Sequence, residues 1–396
     1  MNKFLGLVTV SLLVFGCSNN SYQATELDNA EAVDAIAMKA AGLERYIIES
    51  QAEGDLENAI AGERGSVVRR LQTVKGIVAY LPAQAAQRLE ARFGDLIFTP
   101  DIELFGVPSE VSATGKPGGT APPPAQSIPW GISRISALEA NVLNKGAGVK
   151  VCVVDSGIDK THPDLATNIS GGRNFVVIKG RVTADNWNDD NGHGSHVAGT
   201  IAAIENAIGV VGVAPEAKLF AAKVLDSRGS GYLSDVADGV TECVRVGAKV
   251  INMSLGANGD PNAASPLKTA ILNAQAAGVL VVVAAGNEGQ DIRNTIPAGY
   301  PSVIAVSALN SSDQFASWSN FGLDNNDFAA PGVNIYSTWK GGQYNTISGT
   351  SMASPHVAGA AALHLSAQSP LLKAIDLGFS LSEQGQGIVD ALGSAQ

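Results

Sequence analysis

The sequence has only three cysteines, Cys17, Cys152 and Cys243, too few for a disulfide scaffold, so the fold must rest on an apolar core. Charge is also scarce. Only 16% of residues are charged and the net charge is −11, which argues against nucleic acid as a partner. The N-terminal apolar stretch over residues 4–15 falls short of the ~20 residues that a membrane-spanning helix needs. No unit repeats along the chain, and the HExxH spacing of a zinc-bound helix is absent. What is present is 45% hydrophobic residues and 44 glycines, a composition that suits a compact α/β protein rather than a disordered chain. The 396 residues suffice for one large core and one smaller domain.

Lys3 and the apolar stretch 4–15 read as an export signal. The segment closes at Leu13-Val14-Phe15-Gly16-Cys17, which resembles a bacterial lipobox with Cys17 as the lipidated residue. The alternative is an ordinary signal peptide cut near Gly16. On either reading residues 1–17 direct the chain out of the cytoplasm, as a secreted protein or a lipoprotein of a bacterial cell envelope. A lipid on Cys17 is the one expected link to a membrane. Residues 18–43 are polar and Ala-rich, a tether. Strand-like texture at 46–48, 67–71, 76–80 and 96–98, with an amphipathic helix over 82–93, predicts a small α+β unit at 44–105. Residues 106–124 are rich in Gly and Pro and read as an extended linker.

From 125 to 396 the texture changes. Val/Ile-rich runs at 149–154, 219–224, 250–253, 279–284 and 303–306 alternate with helical segments. Such runs mark parallel strands covered on both faces, and predict a doubly wound, mostly parallel α/β domain with helices on both sides of its sheet.

Three stretches carry chemistry. Asp155-Ser156-Gly157 ends the first strand at its carboxyl end, where open α/β sheets place their sites. Asn191-Gly192-His193-Gly194-Ser195-His196 is a polar loop feeding an apolar helix. Gly349-Thr350-Ser351-Met352-Ala353-Ser354-Pro355-His356 opens an apolar, buried helix expected to start at Ser351, with Pro355 tolerated in its first turn. Singly, these residues read as a helix cap, a loop histidine and an N-cap. Together, Asp155, His193 and Ser351 supply an orienting carboxylate, a general base and a nucleophile.

These stretches resemble the three signature blocks of the subtilisin-like serine proteases, with Ser195 where Thr is commoner, and the likeness covers most of 125–396. The resemblance implies a serine endopeptidase acting through an acyl-enzyme, with Asn287 as the oxyanion-hole amide. It makes His196 and His356 structural. It implies two backbone edges for an extended peptide, Gly229-Ser230-Gly231 and Ser254-Leu255-Gly256. Ala284-Ala285-Gly286, with Ser254–Gly256, would wall an apolar pocket for a large P1 side chain, with Glu288 near its rim. It also implies a structural Ca²⁺ held by Gln126, Asp164 and Asn206 side chains and the carbonyls of Ile204, Ile208 and Val210. Unit 44–105 would be an inhibitory, chaperone-like propeptide of a self-processing zymogen, and the partners would be protein or peptide substrates, with the enzyme a monomer. Between Ser366 and Gly385 the chain is shorter than the family's usual helix-bearing segment.

Two rival readings stand beside this one. The first is a catalytically inactive subtilase-fold binding module. The second is an esterase, whose Gly-x-Ser-x-Gly elbow is missing around Ser351. Cys152 and Cys243, on a strand and its covering helix, are expected as two buried free thiols, with a disulfide as the alternative.

Overall fold

A computed structural model describes residues 37–50, 56–106, 111–112, 123–178, 181–263, 265–324, 327–369 and 372–396. The export signal, Cys17 and most of the linker lie outside the described residues.

The N-terminal unit is a four-stranded antiparallel sheet with two helices. In chain order these are β1 (Leu43–Glu49), α1 (Leu56–Gly62), β2 (Ser66–Arg70), β3 (Gly76–Pro82), α2 (Ala83–Phe93) and β4 (Ile97–Pro100). The sheet order is β2-β3-β1-β4, and Ile48, Ile60, Leu81 and Leu89 form its own small core. A further strand, β5 (Glu103–Gly106), leaves this unit to join another sheet.

The main domain is built on nine strands. They are β6 (Lys150–Asp155), β7 (Ile169–Asn174), β8 (Lys218–Lys223), then β9 (Val250–Met253), β10 (Leu280–Ala284), β11 (Ile304–Leu309), β12 (Phe328–Pro331), β13 (Lys373–Ile375) and β14 (Ile388–Asp390). Their order is β13-β14-β12-β11-β10-β9-β6-β8-β7, parallel except for the edge strand β13. Helices α3 (His193–Ala202) and α6 (Thr350–Ala367) cover one face; α4 (Leu233–Arg245) and α5 (Pro266–Ala276) cover the other. The alternation along β6 shows why both faces need cover. Val151 and Val153 join the core beneath α3 and α6, while Cys152 and Val154 join the core beneath α4 and α5. Each such fully buried aliphatic side chain contributes ~1.5–3 kcal/mol. The five strands expected from the sequence are present, and the sheet gains β7, β12, β13 and β14, short strands with less apolar texture.

Two expectations are corrected. Cys152 and Cys243 are bonded to each other, tying the strand that ends in Asp155 to α4, so the free-thiol reading does not hold. Helix α6 begins at Thr350, with Gly349 as its cap, which places Pro355 inside the helix rather than in its first turn. A proline there leaves the carbonyl four residues earlier without its helical donor. That carbonyl is Ser351's, and the buried Ser254 hydroxyl donates to it at 2.9 Å. The sheet thus supplies the hydrogen bond that Pro355 cannot.

The N-terminal unit docks on the α4–α5 face, where Ile47, Val78 and Leu104 share a core with Leu233, Val236 and Leu267. Asp101 accepts from the Ser234 backbone N–H at 2.8 Å and the Ser234 hydroxyl at 2.7 Å, capping α4, and pairs with Arg45 at 2.7 Å. Arg69 bridges Asp235 (2.7 Å) and Asp238, two carboxylates one turn apart on α4.

Candidate active site

β6 carries Asp155 to its carboxyl end, and α3 starts at His193, so sheet and helix meet at these two side chains. His193 Nδ1 lies 2.9 and 3.0 Å from the two Asp155 carboxylate oxygens. Ser156 N–H donates to Asp155 Oδ1 at 2.7 Å, which fixes the carboxylate from its own strand. Burial disfavours charging His193, but the Asp155 charge and hydrogen bond, with the Asp189 charge, hold its pKa above the ordinary imidazole value. Its other nitrogen, Nε2, is buried without a hydrogen-bond partner. Gly194 is required for this approach, because a Cβ there would sit 2.1 Å from the Gly157 carbonyl oxygen.

Ser351 stands in the first turn of α6, fully buried, with its hydroxyl donating to the Ser254 carbonyl at 3.1 Å. A network not anticipated from the sequence seats this helix end. Asn252 on β9 donates to Ser254 Oγ (3.0 Å), Ser354 donates to Asn252 Oδ1 (3.0 Å), and the Ser254 and Ser354 hydroxyls meet at 3.0 Å. Asn287 lies just past β10, and its side-chain oxygen accepts from the Thr350 N–H and hydroxyl, both at 2.9 Å. The amide is thereby held with its –NH₂ end turned away from Thr350, which itself sits beside Ser351. His196 Nε2 bonds the Ile335 carbonyl at 3.0 Å and His356 Nδ1 the Met352 carbonyl at 2.8 Å.

β5 lies between the two expected edges as an antiparallel strand. Glu103, Leu104 and Phe105 pair with Tyr232, Gly231 and Ser230; Phe105 and Gly106 pair with Gly256 and Leu255. Gly106 N–H donates to the Gly229 carbonyl at 2.8 Å, and Gly229 holds a φ of 80°, a conformation glycine adopts freely. Gly106 is also where the parts converge. A Cβ built on it would lie 3.6 Å from His193 Nδ1, and its partner Leu255 follows Ser254, which binds the Ser351 hydroxyl. Beside this strand, Gly256, Ala284, Ala285, Gly286 and Glu288 line a cavity of about 290 Å³.

The profile of the subtilase family matches residues 146–375. The chain belongs to the subtilase family. It is 51% identical over 246 residues to subtilisin NAT of Bacillus subtilis subsp. natto, covering 61% of this chain and 62% of that one. It is 46% identical over 272 residues to subtilisin DY of Bacillus licheniformis, covering 67% of this chain and 94% of that one. Subtilisin Savinase of Lederbergia lenta is 49% identical over 240 residues, 60% of this chain and 84% of that one. The chain thus spans less than two thirds of the length of subtilisin NAT.

In this subtilase the six residues expected around calcium come from three segments that touch, at Gln126, at Asp164 and over Ile204 to Val210. Gln126 Nε2 donates to the carbonyls of Ile204 (3.2 Å) and Val210 (3.3 Å). Asn206 donates to Asp164 Oδ1 (2.8 Å) and accepts from Ile208 N–H (2.7 Å). Val210 N–H and the Tyr344 hydroxyl donate to Asp164 Oδ2 at 3.0 and 2.9 Å. Asp164 is fully buried and, among the described residues, no Lys or Arg pairs with it. The Asp164 carboxylate and the Ile204 and Val210 carbonyls are hard oxygen donors that suit a divalent ion once the Gln126 and Asn206 amides, which turn their –NH₂ groups toward them here, present oxygen instead. Among the described residues no group of three or more His, Cys, Asp or Glu gathers as for a metal. The described residues also contain no helix long and apolar enough to cross a membrane.

Proposed function

We propose that this subtilase is a serine endopeptidase in which Asp155, His193 and Ser351 form the triad and Asn287 supplies an oxyanion donor. The observation that carries the reading is the buried His193, bonded through Nδ1 to Asp155 and with Nε2 unpartnered, beside a strand whose partner Leu255 follows Ser254, the acceptor of the Ser351 hydroxyl. In this mechanism His193 Nε2 takes the Ser351 proton as Oγ attacks the scissile carbonyl. The Asn287 amide and the N–H at the α6 terminus hold the developing oxyanion. The imidazolium, stabilised by Asp155, then protonates the leaving amine, and water repeats the sequence on the acyl-enzyme. For this step the Ser351 hydroxyl must leave the Ser254 carbonyl, to which it donates at 3.1 Å, and turn toward His193.

Residues 44–105 act as an inhibitory prodomain, with β5 in the cleft in the manner of a product and 106–124 as the tether that cleavage frees. Main-chain pairing at Gly229–Gly231 and Leu255–Gly256 gives broad specificity, and the small-walled 290 Å³ cavity favours a large apolar P1 side chain. Gln126, Asp164, Asn206 and the carbonyls of Ile204, Ile208 and Val210 would hold calcium, whose role is structural: it neutralises Asp164 and fastens the segment after the linker to the 204–210 loop. The chain is exported, as a secreted or Cys17-lipidated protein.

The test is Ser351→Ala beside the parent. The parent should hydrolyse an unstructured protein, take up a serine-directed phosphonate and shed its N-terminal unit. The variant should do none of these. Self-cleavage by the variant would overturn the assignment.

A further inference from the structure

Behind the Asp155–His193 pair lies a second buried carboxylate that the triad does not use. Asp189 is 3% exposed and accepts five hydrogen bonds. Its Oδ1 takes the Ser156 hydroxyl (2.9 Å) and the N–H groups of Asn191 (3.0 Å) and Gly192 (2.8 Å). Its Oδ2 takes the Ser195 N–H (2.9 Å) and hydroxyl (2.6 Å). Ser156 Oγ in turn accepts from Gly194 N–H at 2.9 Å. These partners are not scattered. Ser156 adjoins Asp155 at the end of β6, and Gly192 and Gly194 adjoin His193 at the start of α3.

No Lys or Arg pairs with Asp189 among the described residues; its partners are the five N–H and O–H donors, gathered at the start of α3. For a turn alone, a neutral acceptor would suffice at lower desolvation cost.

We propose that Asp189 is a positioning residue for the catalytic pair: through Ser156 it clamps the end of β6 to the start of α3, fixing the geometry in which Asp155 holds the imidazole, and its charge favours the imidazolium that forms when His193 takes the Ser351 proton. This rests on the triad reading above. The charged groups around His193 are Asp155 from β6, Asp189 and Asp190 from the loop before α3, His196 within α3, and Lys223 from β8. Lys223 is occupied by Asp190 (2.6 Å) and by the carbonyls of Ser156 (2.8 Å) and Leu225 (2.9 Å). Lys340 donates to the Asp190 carbonyl. His196 is held neutral, its burial driving its pKa down to about 3. Asp155 and Asp189 are therefore the two carboxylates that act together on the imidazole.

Two variants of the full chain separate the clamp from the charge. Asp189→Asn removes the charge and turns an –NH₂ group toward N–H donors. Ser156→Ala cuts the bridge and leaves the charge. Active sites are counted with the phosphonate, and kcat and KM are followed against pH. Asp189→Asn should lose about 10–100-fold in kcat with KM nearly unchanged, the scale of a misplaced reacting group. Its acid limb should also move to lower pH, because a less stabilised imidazolium has a lower pKa. Ser156→Ala should lose about tenfold in kcat with the limb unmoved. A folded Asp189→Asn with parental kcat and acid limb, changed only in melting temperature, overturns the proposal. If Asp189→Asn does not fold, parental kcat in Ser156→Ala overturns it. A parent that fails to react with the phosphonate refutes the triad itself, an outcome distinct from a labelled, active parent beside unaffected variants.

Discussion

The Cys152–Cys243 bridge offers a quantitative test of the tertiary structure. It closes a loop across a sequence separation of 91 residues, between β6 and α4. In the chain-entropy picture such a loop restricts the unfolded ensemble by ~15.5 cal/mol/K, or ~4.6 kcal/mol at 25 °C. Both residues are fully buried, so Cys152→Ala/Cys243→Ala also leaves two small voids, at ~1 kcal/mol each. A domain of roughly 270 residues has an unfolding entropy near 0.57 kcal/mol/K, so a loss of ~6 kcal/mol lowers Tm by ~10 °C. The melt is measured by calorimetry in a Ser351→Ala background, which removes autolysis from the comparison. Thiol titration of the denatured, unreduced protein should find neither cysteine free. Two free thiols, or a double variant melting within ~2 °C of its parent, would refute the reasoning.

Further outcomes are expected. Asn287→Ala should lower kcat by about 10²–10³ with little change in KM, read by steady-state kinetics on a peptide substrate; a larger effect on KM than on kcat would point to substrate binding instead. Chelation should lower Tm, since an ion at a hundredfold excess over its Kd adds ~2.7 kcal/mol, and Asp164→Ala should abolish that response. Uncut Ser351→Ala protein should respond as well, because Gln126 already reaches the Ile204 and Val210 carbonyls with the linker intact; indifference to chelator in the uncut form would count against a preformed site. Arg69→Met should hasten release of the N-terminal unit, since it takes the paired cation from the buried Asp235 and Asp238 at a cost of ~3–5 kcal/mol, and an unchanged release time on a gel would contradict it. Burial depresses the pKa of His196 to about 3 and of His356 to about 4, from an ordinary 6.5. The unfolded chain therefore takes up protons first as pH falls, so these two contribute full stability above ~pH 6.5 and lose up to ~1.4 kcal/mol each per pH unit below it. A Tm that stays flat from pH 7 to 5 would contradict this.

By itself the sequence determined the architecture and named the candidate residues of the site. Near-continuous Val/Ile runs admit little except parallel strands covered on both faces, and the blocks at Asp155, His193, Asn287 and Ser351 are local in the chain. Tertiary structure alone decided what depends on residues far apart. The pairing of Cys152 with Cys243 follows from a helix laid across a strand, which spacing cannot reveal when buried thiols read the same way. The tolerance of Pro355 inside α6 comes from the Ser254 hydroxyl, 97 residues from the carbonyl it satisfies. Asp189 in the sequence is one acidic residue in a polar loop. Only folding brings Ser156, 33 positions earlier, onto its carboxylate. The physical reason is common to all three. Periodicity and signature blocks report burial and local backbone, whereas a buried polar atom takes whichever partner the packed fold presents.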